Sequence, residues 1–97
     1  MSTEDSGAAG RFDPGRPYRL SPTVSLRPEP FGALVYDFAT RRLSFLKTPE
    51  LVRVVGELAD HPDVPSTLDA VGVPAGQRAR YTAALAGLLS AGTIQAR

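Results

Sequence analysis

The chain contains no cysteine and no tryptophan, a single histidine and a single methionine, and its charges nearly cancel: eleven Lys and Arg stand against ten Asp and Glu, a formal net charge of +1. Zero cysteine removes disulfide frameworks, thiolate metal sites and cysteine nucleophiles together, and it fits a reducing compartment. The lone histidine, His61, rules out a histidine cluster for metal. Balanced charge gives no electrostatic reason to expect nucleic acid, whose phosphates usually demand a basic excess. Long apolar runs are missing too. The opening MSTEDSGAAG lacks the apolar core of a signal peptide, and the longest run, GALVY, is far short of the ~20 residues of a spanning helix. These absences predict a cytoplasmic protein with no membrane partner. With 97 residues one domain is the ceiling, since a chain of this size buries only somewhat over ~60% of its unfolded surface.

What is present falls into a clear order. Residues 1–17 mix Ser, Gly, Asp, Glu and Pro with Phe12 as the only large apolar side chain. That composition does not offset the entropy of ordering, so residues 1–17 are expected to be a disordered N-terminal tail and residues 18–97 the folded domain. From Thr23, Val24 and Leu26 alternate with Ser25 and Arg27 as in a half-buried strand, which Pro28 and Pro30 should stop. GALVYDF follows as a second strand, apolar on nearly both faces. After the polar ATRR break, Leu43 and Phe45 alternate with Arg42 and Ser44, giving a third strand and a hairpin, with Leu43 and Phe45 expected on the core side.

The pattern then changes from period two to helical spacing. Thr48 is placed to cap a helix with Pro49 at its first position and Glu50 near the positive dipole end, and Leu51, Val54, Val55 and Leu58 follow on one face as far as Asp60 to Pro62. A short second helix is expected with Ser66 as its cap, Leu68 and Val71 as its apolar face and Gly72 as its stop. The third begins near Pro74, carries Tyr81, Ala84, Leu85, Leu88 and Leu89 in one stripe, and ends at Gly92. Strands followed by helices predict an α+β domain, a winged helix-turn-helix-like fold with a three-stranded antiparallel sheet followed by three helices. Its last strand, Arg42 to Leu46, lies at an edge with free N–H and C=O groups.

Catalysis finds little support. His61 sits between Asp60 and Asp63, where a solvated histidine at a helix end is the simpler explanation. Gly7, Gly10 and Gly15 lie in the tail with no strand before them, so no phosphate loop is present. No enzyme, metal or cofactor is expected. A winged-helix DNA-binding protein is the alternative reading, but the last helix offers only Arg78 and Arg80 ahead of an Ala- and Leu-rich body, with Asp60, Asp63 and Asp69 around the turn. The open edge supports a third reading. Extended peptides add to sheet edges through main-chain hydrogen bonds while alternate side chains enter pockets.

The run LRPEPFGALVYDFATRRLSFLKTPELVRVV, Leu26 to Val55, strongly resembles the mycofactocin biosynthesis chaperones. These are small relatives of pyrroloquinoline quinone biosynthesis protein D, within the precursor-peptide recognition elements of ribosomally made, post-translationally modified peptides. The likeness covers about Leu20 to Gly92, and RPEPFGALVY followed by RRLSFL is its specific part. The resemblance implies a non-catalytic adaptor that binds the leader of a precursor peptide and presents it to a radical S-adenosylmethionine maturase. It further implies that the leader is held as an added strand against the third strand and third helix. The residues at those places are Arg42, Leu43, Ser44, Phe45, Leu46 and Lys47 on the strand side, and Arg78, Tyr81, Thr82, Leu85 and Leu89 on the helix side. Arg42, Lys47 and Arg78 would favour an acidic leader. RPEPFG is either a docking loop or a rigid turn set by two prolines and Gly32. The free edge also leaves a homodimer open.

Overall fold

The computed structural model describes residues 12–97. Among the described residues five strands and three α-helices follow one another: β1 (Tyr18–Leu20), β2 (Val24–Glu29), β3 (Gly32–Asp37), β4 (Arg42–Leu46), α1 (Pro49–Glu57), α2 (Val64–Val71), α3 (Arg78–Ser90) and β5 (Ile94–Ala96). The α+β class holds, and the order of β2 to β4 and then α1 to α3 is compatible with a winged helix-turn-helix. β2, β3 and β4 form an antiparallel meander in that order, while β1 and β5 pair antiparallel as a second, two-stranded sheet with Tyr18 opposite Ala96 and Leu20 opposite Ile94. Sequence patterning misses this pair, because a three-residue strand is too short to display a period. None of the described helices is long and apolar enough to cross a membrane.

Three local features explain the helix boundaries. The Thr48 hydroxyl accepts from the Leu51 N–H at 3.1 Å, with Pro49 in the first turn, so α1 starts where its sequence says it should. α2 starts earlier than expected. Its cap is Asp63, not Ser66: the Asp63 carboxylate accepts the Ser66 N–H at 2.8 Å, and Val64 and Pro65 occupy the first turn, where proline's missing donor costs nothing. The Ser66 hydroxyl and N–H, with His61 nearby, hold the Asp63 carboxyl below its usual 3.8. Gly72, at φ 86°, closes α2 in the left-handed conformation that glycine adopts freely.

The core lies between the inner face of the three-stranded sheet and the helices. Ala33, Val35 and Leu46 face Val54 and Val55 of α1 and Leu58 just after it, with Leu68 of α2 and Leu85 of α3 closing the core, all buried. Each fully buried Leu or Val contributes on the order of 1.5–3 kcal/mol. Tyr18 and Ile94 bring the small β1–β5 sheet into the same cluster.

Of the tail expected over residues 1–17, residues 1–11 lie outside the described residues. Phe12 to Pro17 lie against the domain. The Phe12 ring stacks on Tyr18 with centroids 5.2 Å apart, the Asp13 N–H donates to the Tyr18 hydroxyl at 2.8 Å, and the Pro14 carbonyl accepts the Val64 N–H at 2.9 Å. That last bond satisfies one of the orphan donors at the start of α2. A chain beginning at Pro17 is therefore expected to melt about 5 °C or more below the full chain, whereas removal of residues 1–11 leaves these contacts in place. Equal melting temperatures for the two truncations would show that the Phe12–Arg16 segment contributes nothing.

Candidate functional site

The free edge is settled by hydrogen-bond parity. β2 and β3 pair Val24 with Asp37 through to Glu29 with Gly32, and one step beyond this ladder the Phe38 N–H donates to the Thr23 carbonyl at 3.0 Å. Bonded and non-bonded pairs alternate in an antiparallel ladder. Thr23, Ser25, Arg27 and Glu29 are thus in the bonded pairs, and Leu34 and Tyr36 direct their main-chain groups to β2. Ala33, Val35 and Asp37 direct theirs to β4, where they stand opposite Leu46, Ser44 and Arg42. It follows that Arg42, Ser44 and Leu46 turn inward to β3, while the N–H and C=O groups of Leu43 and Phe45 point away from the sheet.

The opposite edge is treated differently. By the same parity Val24, Leu26 and Pro28 turn outward from β2; the Val24 N–H is taken by the Ser21 carbonyl at 3.0 Å, and Pro28 has no N–H to offer. This explains why Pro28 does not end β2 as its sequence suggested: proline is tolerated in a strand where its nitrogen faces off the edge. β4 contains no proline, and no strand among the described residues covers its outer side.

Side chains alternate with the same period, and here one expectation is corrected. Leu43 and Phe45 are not on the core side. They are 59% and 54% exposed, opposite Tyr36 and Leu34 on the face turned away from the helices, whereas Ser44 and Arg42 share the helix-side face with Val35 and Asp37. On this inner face Leu46 enters the core, while Ser44 and Arg42 border a cleft. That cleft, of about 210 Å³, is lined by Val35, Asp37, Thr40, Arg42, Leu43 and Ser44 on the sheet side and by Ala91 and Thr93, just after α3, on the other. A second cleft of about 100 Å³ lies towards the other end of α3, between Thr48 and Leu51 and the side chains of Arg80, Tyr81 and Ala84. The two clefts lie near opposite ends of α3, between that helix and the chain from Thr40 to Leu51, and together they are the candidate groove.

The loop at the Arg42 end is fixed by Asp37. Desolvation raises its pKa, but the Thr23 hydroxyl at 2.9 Å and the Ala39 and Thr40 N–H groups at 3.0 and 3.4 Å outweigh that and hold the carboxyl below its usual 3.8. The carboxylate thus stays charged beside Arg42.

Of the site residues expected from sequence, the structure gathers Arg42, Leu43 and Ser44 at one cleft and Tyr81 at the other. Phe45 and Lys47 are exposed along the edge, and Leu46 is buried in the core. On the helix side, Leu85 is fully buried, while Thr82 and Leu89 are half-buried and line neither of these clefts. Arg78 is otherwise occupied: its Nε donates to the Val73 carbonyl at 3.1 Å and its guanidinium pairs with Asp69, locking the turn between α2 and α3. Arg80 is the helix arginine that reaches the groove. Sequence reasoning missed it with Thr48, Leu51 and Ala84. The signal was available in part, since Arg80 and Ala84 are four apart and share a helix face adjoining Tyr81.

The model of the peptide chaperone MftB family matches residues 17–95. The chain belongs to that family. Among its relatives, the protein named Peptide chaperone MftB of Mycobacterium ulcerans is 54% identical over 80 residues, which span 82% of this chain and 73% of the relative. That of Mycolicibacterium smegmatis is 52% identical over 83 residues, 86% of this chain and 81% of the relative. That of Mycobacterium tuberculosis is 54% identical over 65 residues, 67% of this chain and 60% of the relative. No solved structure matches the chain. Peptide chaperoning is a non-catalytic role, in agreement with the expectation that the chain is not an enzyme.

Proposed function

We propose that the chain is a peptide chaperone of mycofactocin biosynthesis that binds the leader of a precursor peptide as an added strand on β4 and presents it to a radical S-adenosylmethionine maturase. The observation that carries this reading is the unpaired outer side of β4, with the Leu43 and Phe45 main-chain groups aimed at solvent beside the groove to α3. An extended leader supplies the missing ladder, and alternate leader side chains reach the clefts at Ser44 and at Tyr81. Membership of a family of peptide chaperones supports a peptide ligand. The DNA alternative is weakened, because one of its two arginines, Arg78, is tied into the fold.

Amide hydrogen exchange tests the strand directly. In the free chain the Ser44 amide is expected to be protected by β3 and the Leu43 and Phe45 amides to exchange fast; leader binding should protect the latter two and leave Ser44 as it was. A leader that binds without protecting either Leu43 or Phe45 would overturn strand addition.

The arginines separate fold from recognition. Arg78→Glu sets a second carboxylate beside Asp69 and is expected to cost about 1–2 kcal/mol of stability, read by urea melting. Arg80→Glu should leave stability unchanged and weaken binding of an acidic leader about two- to fivefold, more at low salt than at high.

A further inference from the structure

The outer face of the three-stranded sheet is large, apolar and uncovered. Phe31, Tyr36, Phe38, Leu43 and Phe45 are the exposed large apolar side chains of the described residues, at 39–59% exposure, and all five lie on or beside this one face. Phe31 and Phe45 meet edge to face at 5.9 Å, joining the turn before β3 to the edge strand. Scattered single apolar residues need no explanation, but a contiguous aromatic patch marks an interaction surface. Two exposed cations border the patch, and the one carboxylate that alternates onto the β2 part of this face, Glu29, is neutralised within it. Exposed Arg41 and Lys47 flank β4 at its two ends, and Arg27 of β2 is already paired with Glu29 at 3.1 Å.

We propose that this face docks a second protein through a surface whose apolar centre is ringed by carboxylates, and that in the leader-presentation reading, on which the assignment of that protein rests, the protein is the maturase. Charge complementarity selects an acidic ring. A second copy of the chain fits less well, since the Glu29 carboxylate of each face is already paired with Arg27 and is not free for the other's Arg41 and Lys47. Continuity with the edge favours a protein over a lipid surface. A leader strand added to β4 extends the same sheet, so its outward side chains would stand beside Leu43 and Phe45 while its inward ones enter the groove. A protein seated here would touch chaperone and leader at once, without blocking the groove on the far side.

The test uses the full chain with two substitutions away from the β4 edge, Phe38→Glu and Tyr36→Thr, both at exposed positions. Affinity for the purified radical S-adenosylmethionine enzyme is expected to fall about tenfold or more for Phe38→Glu and by a smaller factor for Tyr36→Thr. Affinity for the leader should stay within about twofold in both. Unchanged enzyme affinity in both variants overturns the inference. So does a wild-type chain that ignores the enzyme but sediments with phosphatidylserine vesicles, or self-associates in sedimentation equilibrium, in either case reversed by Phe38→Glu. A chain that binds leader but no enzyme sinks this inference alone, and one that binds the enzyme through this face but no leader sinks the leader reading alone.

Discussion

Replacing Phe45 with proline is expected to weaken leader binding by about ten- to a hundredfold while the chain remains folded. The Phe45 nitrogen faces off the sheet edge, so its loss costs β4 no bond to β3. Proline removes the donor that the leader carbonyl would use and leaves that carbonyl unsatisfied against the edge, a penalty of about 1–3 kcal/mol. Leu43→Pro should behave alike at the other outward position. Phe45→Ala is the control, since it removes the ring but keeps the donor; whatever Phe45→Pro loses beyond it belongs to the main chain. Ser44→Pro should do something different. Its nitrogen points to Val35 of β3, so proline there breaks the ladder and lowers stability before any leader is added. Calorimetry for affinity and circular dichroism for folding separate the cases. Equal leader affinity for Phe45→Pro and Phe45→Ala, both folded, would move the leader off this edge.

That contrast marks how far the sequence could be read. Alternation at Leu43 and Phe45, the cap at Thr48 and the stops at Gly72 and Gly92 are local signals, and each appears where the pattern placed it. Which face of β4 looks to the core is not local. Leu43 and Phe45 are the apolar pair and were expected inside, but the cross-strand register puts them with Leu34 and Tyr36, and Ala33 and Val35 alone complete the core side of β3. A strand apolar on both faces, as β3 is, gives no hint which face is covered. Arg78 and Arg80 differ for a similar reason. Both are charged residues at the head of one helix, and only the position of Asp69 on α2 decides that Arg78 is spent on the fold.

Gly32→Ala is expected to be the most damaging single-methyl change in the domain, costing about 3 kcal/mol or more, a large part of the 5–15 kcal/mol that holds a typical domain folded. Gly32 has φ 154°, a region L side chains rarely adopt, and a Cβ built on it runs into the Leu46 carbonyl with the Thr48 nitrogen 3.0 Å away. Both obstacles are main chain and neither can swing aside. Leu46 ends β4 with its side chain buried, and Thr48 caps α1. Any shift that makes room therefore disturbs the edge strand and the first helix together. Gly72 provides the comparison. It too has a positive φ, 86°, but a Cβ there meets nothing within 4 Å, so Gly72→Ala should cost only the backbone term of about 1–2 kcal/mol. The two variants are thus expected to differ by about 5–15 °C in melting temperature. Melting of Gly32→Ala within about 2 °C of Gly72→Ala would mean that backbone conformation alone selects glycine at both positions, and that the close approach of β3 to Leu46 relaxes at little cost.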